Sequence, residues 1–117
     1  MELIIHTAKL IREIQPTWWF IENPRGKLRS LLLVEKELPG AIRHTISYCQ
    51  YGDTRMKPTD IWTNAPWWKP RPMCKNGDKC HEPAPRGSST GTQGIKGDTD
   101  RSRIPSEVFK EILGQMI

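Results

Sequence analysis

The first hydrophobic positions of the chain recur at helical spacing. Ile4, Ala8 and Ile11 lie three or four residues apart, and Pro16 ends the pattern. We therefore predict a first helix over residues 2–15.

A short apolar run, Trp18–Ile21, follows this break and ends at the polar Glu22. Its length and composition predict a fully buried strand. A helix followed by such a strand is half of a parallel α/β unit, and we expect that arrangement here. Three leucines between residues 28 and 32 predict a short helix after the strand.

β-Branched and aromatic residues alternate between Ala41 and Tyr51, which predicts a second strand, and Asp60–Thr63 is expected to form a third. Residues 64–103 contain five prolines and five glycines and cannot bury a core alone. Pro105 begins a closing amphipathic helix. The chain is thus expected to divide into a sheet-forming part (1–64), a basic loop (65–103) and a helix (104–117).

Composition limits the classes of protein. With 117 residues the chain has room for one domain, and its net charge of +5 makes a polyanion a plausible partner. Three cysteines cannot form a closed set of disulfides, so a reducing compartment is expected. The apolar runs are too short for a membrane span, and no secretory signal is apparent, so we expect a cytoplasmic protein without membrane contact.

The end of the first predicted strand carries the sharpest chemistry. Glu22, Asn23 and Arg25 bring a carboxylate, an amide and a guanidinium to one strand end, where open α/β sheets bind ligands. The alternative is that Glu22 caps a local turn and that Asn23 and Pro24 only form a loop.

Several ordered blocks of the sequence resemble the carboxyl-terminal portion of phage-type cytosine-5 DNA methyltransferases. The blocks are Trp19–Arg29, Tyr48–Asn64, Cys74–Asp78, Cys80–His81, Ala84–Ser88, Thr90–Gly94 and Arg101–Pro105. Together they span nearly the whole chain.

The resemblance implies part of a Rossmann-like methyltransferase sheet of about three strands, with flanking helices and a long Pro/Gly-rich loop. Glu22 would match the Glu of the family's Glu-Asn-Val block, which holds the cytosine ring nitrogen and amine while a cysteine attacks the ring. Pro24 stands where the family has Val. Arg55 would be a second catalytic residue, and Lys57 would support the flipped nucleotide, although phosphate contact or solvated charge would explain these two cations equally well.

Two parts of such an enzyme are absent from the sequence. The family binds S-adenosylmethionine at a Gly-rich turn and takes its nucleophile from a Pro-Cys loop, whereas Cys49, Cys74 and Cys80 follow Tyr, Met and Lys. We therefore expect the last half of a methyltransferase, as a truncated gene, a partial assembly or one subunit whose amino-terminal half is a separate chain. Alone, it is not expected to methylate DNA.

A zinc site is a further hypothesis. Cys49, Cys74, Cys80 and His81 supply thiolates and an imidazole, the ligands that zinc prefers, and a metal would stabilise a loop with few apolar residues. The alternative is that these are thiols in a knuckled loop without metal.

Double-stranded DNA is the expected partner. Arg25, Lys57, Arg86 and Lys96 are the candidate DNA-binding residues, the last two in a Gly/Ser-rich stretch with many backbone donors. Trp67 and Trp68 would either stack on bases or anchor the loop. A non-catalytic basic module that binds nucleic acid, with or without zinc, is the alternative function.

Overall fold

The computed structural model describes residues 2–75, 79 and 103–117, and it shows a mixed α/β fold. A three-stranded antiparallel sheet is flanked by helices. The elements in chain order are α1 (Glu2–Ile14), β1 (Phe20–Pro24), α2 (Lys27–Leu31), α3 (Leu33–Glu37), β2 (Ile42–Ser47), a 3₁₀ turn (Tyr48–Tyr51), β3 (Pro58–Thr63) and α4 (Ser106–Met116). Within the described ranges, no helix combines the length and hydrophobicity that crossing a bilayer requires.

β3 is the central strand, and both of its neighbours run antiparallel to it. Ile61 of β3 lies opposite Glu22 of β1 on one side and opposite His44 of β2 on the other. The expected parallel arrangement is therefore wrong for neighbouring strands: β1 and β2, which α2 and α3 connect, run in the same direction, but β3 lies between them. For β2 and β3 the reason lies in the connection, because residues 48–57 include only a 3₁₀ turn and a parallel neighbour needs a longer crossover.

One face of the sheet packs against α1, α2 and α3, and we call it the α1 face. Its core contains Ala8, Ile21, Val34 and Trp62, all buried. The indole nitrogen of Trp62 donates a hydrogen bond of 3.1 Å to Glu35, so the large ring is buried with its polar atom paired. Helix α1 is thus held on the sheet by its predicted apolar stripe.

The opposite face packs against α4 and the segment that follows β3, and we call it the α4 face. Its core includes Ile46, Tyr48, Ile61, Trp68 and Val108. Successive strand residues point to opposite faces, so Ile61 lies on this face while Trp62 lies on the other. The closing helix predicted from Pro105 is confirmed, with Pro105 as the residue before its first turn.

The tryptophans occupy different environments. Trp18 and Trp19 precede β1 and are not part of it, which corrects the predicted start of that strand. Trp18 meets Trp67 edge to face, with ring centroids 5.5 Å apart. Trp68 is buried in the α4 face, so it anchors its segment as one of the two alternatives predicted.

A buried carboxylate lies in the middle of the central strand. Asp60 is fully buried on the α1 face, where Thr45 donates a hydrogen bond of 2.7 Å to it. The Nε atom of Arg29 lies 3.2 Å from Asp60 Oδ2, and a second Arg29 nitrogen donates to Thr45. The three residues tie α2 to β2 and β3.

Candidate active site

Glu22 lies in β1 on the α4 face of the sheet. Its neighbour Ile21 is buried in the core of the α1 face, so strand alternation turns Glu22 the other way. The side chain is half-buried, and its Oε2 atom accepts a hydrogen bond of 2.7 Å from the hydroxyl of Tyr48. Oε1 has no hydrogen-bond partner among the residues that the structure describes. One carboxylate oxygen is therefore held while the other is available to a ligand.

Tyr48 is fixed by its backbone as well as by its hydroxyl. Its N–H donates 2.8 Å to the carbonyl of Met56, and its own carbonyl accepts from the N–H of Asp53 at 3.2 Å. Burial raises the pKa of Tyr48, and the hydrogen bond and charge of Glu22 raise it further. The hydroxyl therefore keeps its proton at neutral pH and acts as a donor.

The segment from Gly52 to Arg55 is closed by an internal ion pair. Gly52 has a φ of 92°, which favours glycine, and it ends the 3₁₀ turn. The Arg55 Nη2 atom lies 2.6 Å from Asp53 Oδ2 and donates 3.2 Å to the carbonyl of Arg103. Burial alone would raise the pKa of Asp53, but the hydrogen bonds and charge of Arg55 outweigh it and hold the pKa below its ordinary value.

Arg55 is therefore largely enclosed by the protein. Only 2% of its surface is exposed, and its guanidinium carbon lies 5.8 Å from the centroid of the Tyr48 ring. In this position Arg55 stabilises the segment that carries Lys57, and it packs against the ring of Tyr48, whose hydroxyl binds Glu22. Its guanidinium is engaged by Asp53 and is not displayed on the surface.

The two other candidate cations, Lys57 and Arg25, are more accessible than Arg55. Lys57 is half-buried, and its Nζ atom lies 5.3 Å from the centroid of the Tyr48 ring. Its φ of 28° is strained for a residue with a side chain. Arg25 follows β1, is exposed, and its side chain makes no ion pair or hydrogen bond with the described residues.

The structure thus brings three of the candidate residues together at Tyr48. Glu22, from one sequence block, contacts the Tyr48 hydroxyl, and Arg55 and Lys57, from the block that Tyr48 begins, lie against its ring. Chemically, a carboxylate with an available oxygen can accept from an amine or a protonated ring nitrogen, and nearby cations attract an anionic backbone. Arg86 and Lys96, the other predicted DNA-binding residues, lie outside the described residues.

Two of the four predicted zinc ligands are in contact. The Sγ atoms of Cys49 and Cys74 lie 3.0 Å apart, both residues are buried, and they are not joined in a disulfide. The N–H of Cys74 donates 3.2 Å to the hydroxyl of Ser47, which fixes the later segment beside β2. Cys80 and His81, the other two, lie outside the described residues. Among the residues that the structure describes, no three metal-ligating side chains form a group. The thiol pair is half of the predicted ligand set.

A second carboxylate cluster was not predicted from the sequence. Glu111 of α4 accepts from the hydroxyl of Tyr51 at 2.7 Å and from the indole of Trp68 at 3.0 Å, both through Oε1. Its Oε2 atom lies 3.2 Å from Nε of Arg71. These four residues, the Glu111 cluster, attach α4 to the 3₁₀ turn and to the segment after β3.

The role of Tyr48 was also missed. The alternation of the second predicted strand includes Ile46 and Tyr48 and places both on one face, where both lie in the core of the α4 face, but it does not link Tyr48 to Glu22. The contact with Glu22 depends on β1 and β2 lying on either side of β3, which no local pattern encodes.

Comparison with protein-family models, with curated proteins and with solved structures finds no match to this chain.

Proposed function

We propose that this chain is the carboxyl-terminal segment of a DNA cytosine-5 methyltransferase and that Glu22 binds the target cytosine. One observation carries the proposal. The two sequence blocks that resemble the family's base-binding and basic blocks meet at Tyr48, whose hydroxyl holds Glu22 and whose ring contacts Arg55 and Lys57. The half-buried setting of Glu22 suits a group that must meet a base rather than solvent.

The chemistry of cytosine matches this carboxylate. The exocyclic amine of the base is a donor, and its ring nitrogen becomes a donor when protonated, so both can bind carboxylate oxygens. Protonation of the ring nitrogen makes the ring a better electrophile. Tyr48 occupies one lone pair of Glu22 Oε2, which leaves Oε1 and the second lone pair of Oε2 for the base.

The target base would have to leave the DNA helix to reach Glu22. The ring carbon of a stacked cytosine is inaccessible, and enzymes that act on bases extrude them into a pocket. Arg25, three residues after Glu22 in the chain, and Lys57, whose Nζ atom lies against the Tyr48 ring, are suited to phosphates of an extruded nucleotide. Double-stranded DNA is therefore the proposed partner.

The remaining parts of the reaction are assigned to an amino-terminal half. The described residues contain no Gly-rich turn after a strand, so they do not fit a site for S-adenosylmethionine. In this proposal the three strands extend a larger Rossmann-like sheet, to which the other half contributes the cofactor site and the nucleophilic cysteine. The location would be the cytoplasm of a bacterium or of a phage-infected host.

The test compares Glu22→Gln with wild type in a methyltransferase reconstituted from this chain and its amino-terminal half. We expect methyl transfer to cytosine to fall by about 100-fold or more, since the amide cannot hold or transfer the proton on the ring nitrogen. DNA affinity should stay within about twofold, because the substitution removes no phosphate contact. Glu13→Gln, at an exposed position of α1, is the matched control.

Unchanged turnover in Glu22→Gln would remove Glu22 from the reaction and overturn the proposal. DNA binding by the wild-type chain with no methyl transfer in any reconstituted complex would also overturn it, in favour of a non-catalytic basic module.

A further inference from the structure

Tyr48 makes the only described hydrogen bond to Glu22, and the sequence patterns gave it no role. The tyrosine is fully buried, and its hydroxyl lies 2.7 Å from Glu22 Oε2. The two residues are 26 positions apart: Glu22 lies in β1, and Tyr48 begins the 3₁₀ turn after β2, the strand on the other side of β3. The contact therefore spans the central strand on the α4 face.

We propose that Tyr48 is the positioning residue of Glu22, fixing the orientation of its carboxylate toward the base. This inference rests on the proposed function. Tyr48 touches no reacting atom in it; the residue acts only through Glu22.

The first argument is the mobility of a glutamate. Three side-chain torsions separate the carboxylate of Glu22 from β1, and without a partner the group would sample several rotamers. A hydrogen bond from a fixed donor selects one rotamer before the ligand arrives. Reactions that depend on alignment lose about 100-fold in rate from a displacement of about 1 Å.

The second argument is the rigidity of the donor. The backbone of Tyr48 is held on both sides, by the carbonyl of Met56 and by the N–H of Asp53. Its ring is buried in the core and has Arg55 and Lys57 against it at 5.8 and 5.3 Å. A group held at its backbone, ring and hydroxyl can orient a neighbour.

The functional experiment uses Tyr48→Phe in the reconstituted methyltransferase, with Tyr51→Phe as the matched control. Tyr51 is also buried and also donates 2.7 Å to a glutamate, but that glutamate is Glu111 on α4. Both variants lose a hydrogen bond from a buried hydroxyl to a glutamate. Tyr51→Phe also loses the bond that its hydroxyl accepts from the N–H of Arg71 at 2.9 Å, so it should be the less stable of the two. We expect kcat to fall about 10- to 100-fold in Tyr48→Phe with DNA affinity unchanged, and to stay within about twofold in Tyr51→Phe.

A double-mutant cycle separates positioning from general damage. If Tyr48 acts through Glu22, then Tyr48→Phe should cause no further loss of kcat once Glu22→Gln is present. Additive losses would show that Tyr48 acts independently of Glu22, and they would overturn the inference.

A second measurement needs no activity. Tyrosine-ring carbon signals of the labelled chain alone, recorded at neutral pH, report on Tyr48 and Tyr51 separately. Glu22→Gln should shift the ring signals of Tyr48, whose hydroxyl contacts Glu22, and should leave those of Tyr51 unchanged. Unchanged Tyr48 signals would show that the contact does not exist in solution.

The outcomes distinguish the two proposals. Full turnover in Glu22→Gln would end the proposed function. Full turnover in Tyr48→Phe together with a large loss in Glu22→Gln would end only the inference about Tyr48.

Discussion

Two tyrosines three residues apart each donate a hydrogen bond of 2.7 Å to a glutamate, but the two glutamates are engaged to different extents. Both carboxylate oxygens of Glu111 have partners: Oε1 accepts hydrogen bonds from Tyr51 and Trp68, and Oε2 forms an ion pair with Arg71. Glu22 has one described partner and one oxygen without any.

The difference separates a structural carboxylate from one suited to a ligand. A buried carboxylate with every oxygen paired recovers the solvation it loses on folding, so the Glu111 cluster stabilises the attachment of α4. The side chain of Glu111 is only 11% exposed, which its partners make tolerable. Glu22 lacks this compensation, and a base that supplies the missing donors would provide it.

Replacing each glutamate by glutamine should reduce the stability of the chain more at Glu111 than at Glu22. Glu111→Gln should lower the free energy of unfolding by about 2 kcal/mol, because it places an uncharged amide against Arg71 and weakens bonds to a charged acceptor. Glu22→Gln should cost below about 1 kcal/mol, because the amide oxygen can still accept from Tyr48. Urea titration of the chain measures both.

Glu107→Gln is the control for this pair, since Glu107 also contacts Arg71 but is exposed, and it should change stability by about 0.5 kcal/mol or less. Equal losses at Glu22 and Glu111 would abolish the distinction between the two carboxylates.

Alkaline pH should weaken both tyrosine contacts. Burial raises the pKa of Tyr48 and of Tyr51 above the ordinary value of 10.0, so the folded protein keeps protons that the unfolded chain releases. The resulting stability is complete below about pH 10 and declines as the pH rises above it. Denaturant midpoints between pH 8 and 11 should show this decline, reduced by roughly half in Tyr48→Phe or Tyr51→Phe. A decline of the same size in both variants as in wild type would contradict it.

Metal binding should stabilise the Tyr48–Glu22 and Tyr51–Glu111 hydrogen bonds together. Cys49 lies in the 3₁₀ turn that also carries Tyr48 and Tyr51, so a zinc ion held by Cys49 and Cys74 would stabilise that turn. We predict one zinc per chain by elemental analysis of protein purified without chelator, lost in Cys49→Ser and in Cys74→Ser. Chelation should lower stability by about 1 kcal/mol or more. Metal-free protein with full stability would support the alternative of thiols without metal.

Arg71, which contacts Glu111, and Arg25, three residues after Glu22 in the chain, should also differ, the first in stability and the second in DNA binding. Arg71 contacts Glu107 and Glu111, whereas the side chain of Arg25 has no described partner. Arg25→Ala should leave stability unchanged and reduce the salt dependence of DNA binding by about 0.9 in log–log slope, the value of one phosphate contact. Arg71→Ala should destabilise the chain without that change. Fluorescence anisotropy with duplex DNA at several salt concentrations measures the slopes, and an unaltered slope in Arg25→Ala would remove it from the DNA contact.

Local patterns in the sequence located most of the elements but not α3, the end of β2 at Ser47 or the pairing of the strands. The period of Ile4, Ala8 and Ile11 predicted α1, and Pro105 marked the beginning of α4, because both signals lie within a few residues. The relative direction of neighbouring strands depends on the connections between them. The parallel expectation came only from the order of a helix and a strand along the chain, and it was wrong for neighbouring strands.

The candidate site was predictable to a similar degree. Glu22 was identified from its place after an apolar run, but its partner Tyr48 requires knowledge of the strand order. Arg55 was identified as a cation of the basic block, while its enclosure by Asp53 depends on the turn that Gly52 permits. Side-chain environments such as these follow from tertiary contacts and not from periodicity.

The carboxylate of Asp60 makes the alignment of the strands nearly all-or-none. If β3 slipped by one residue, Asp60 would move to the α4 face, among Ile46 and Val108, and lose both Thr45 and Arg29. An unpaired charge in that apolar core is so unfavourable that a sheet with the shifted register would be much less stable than the native sheet. Asp60 has no part in the proposed reaction, but it thus fixes the strand register that positions Glu22.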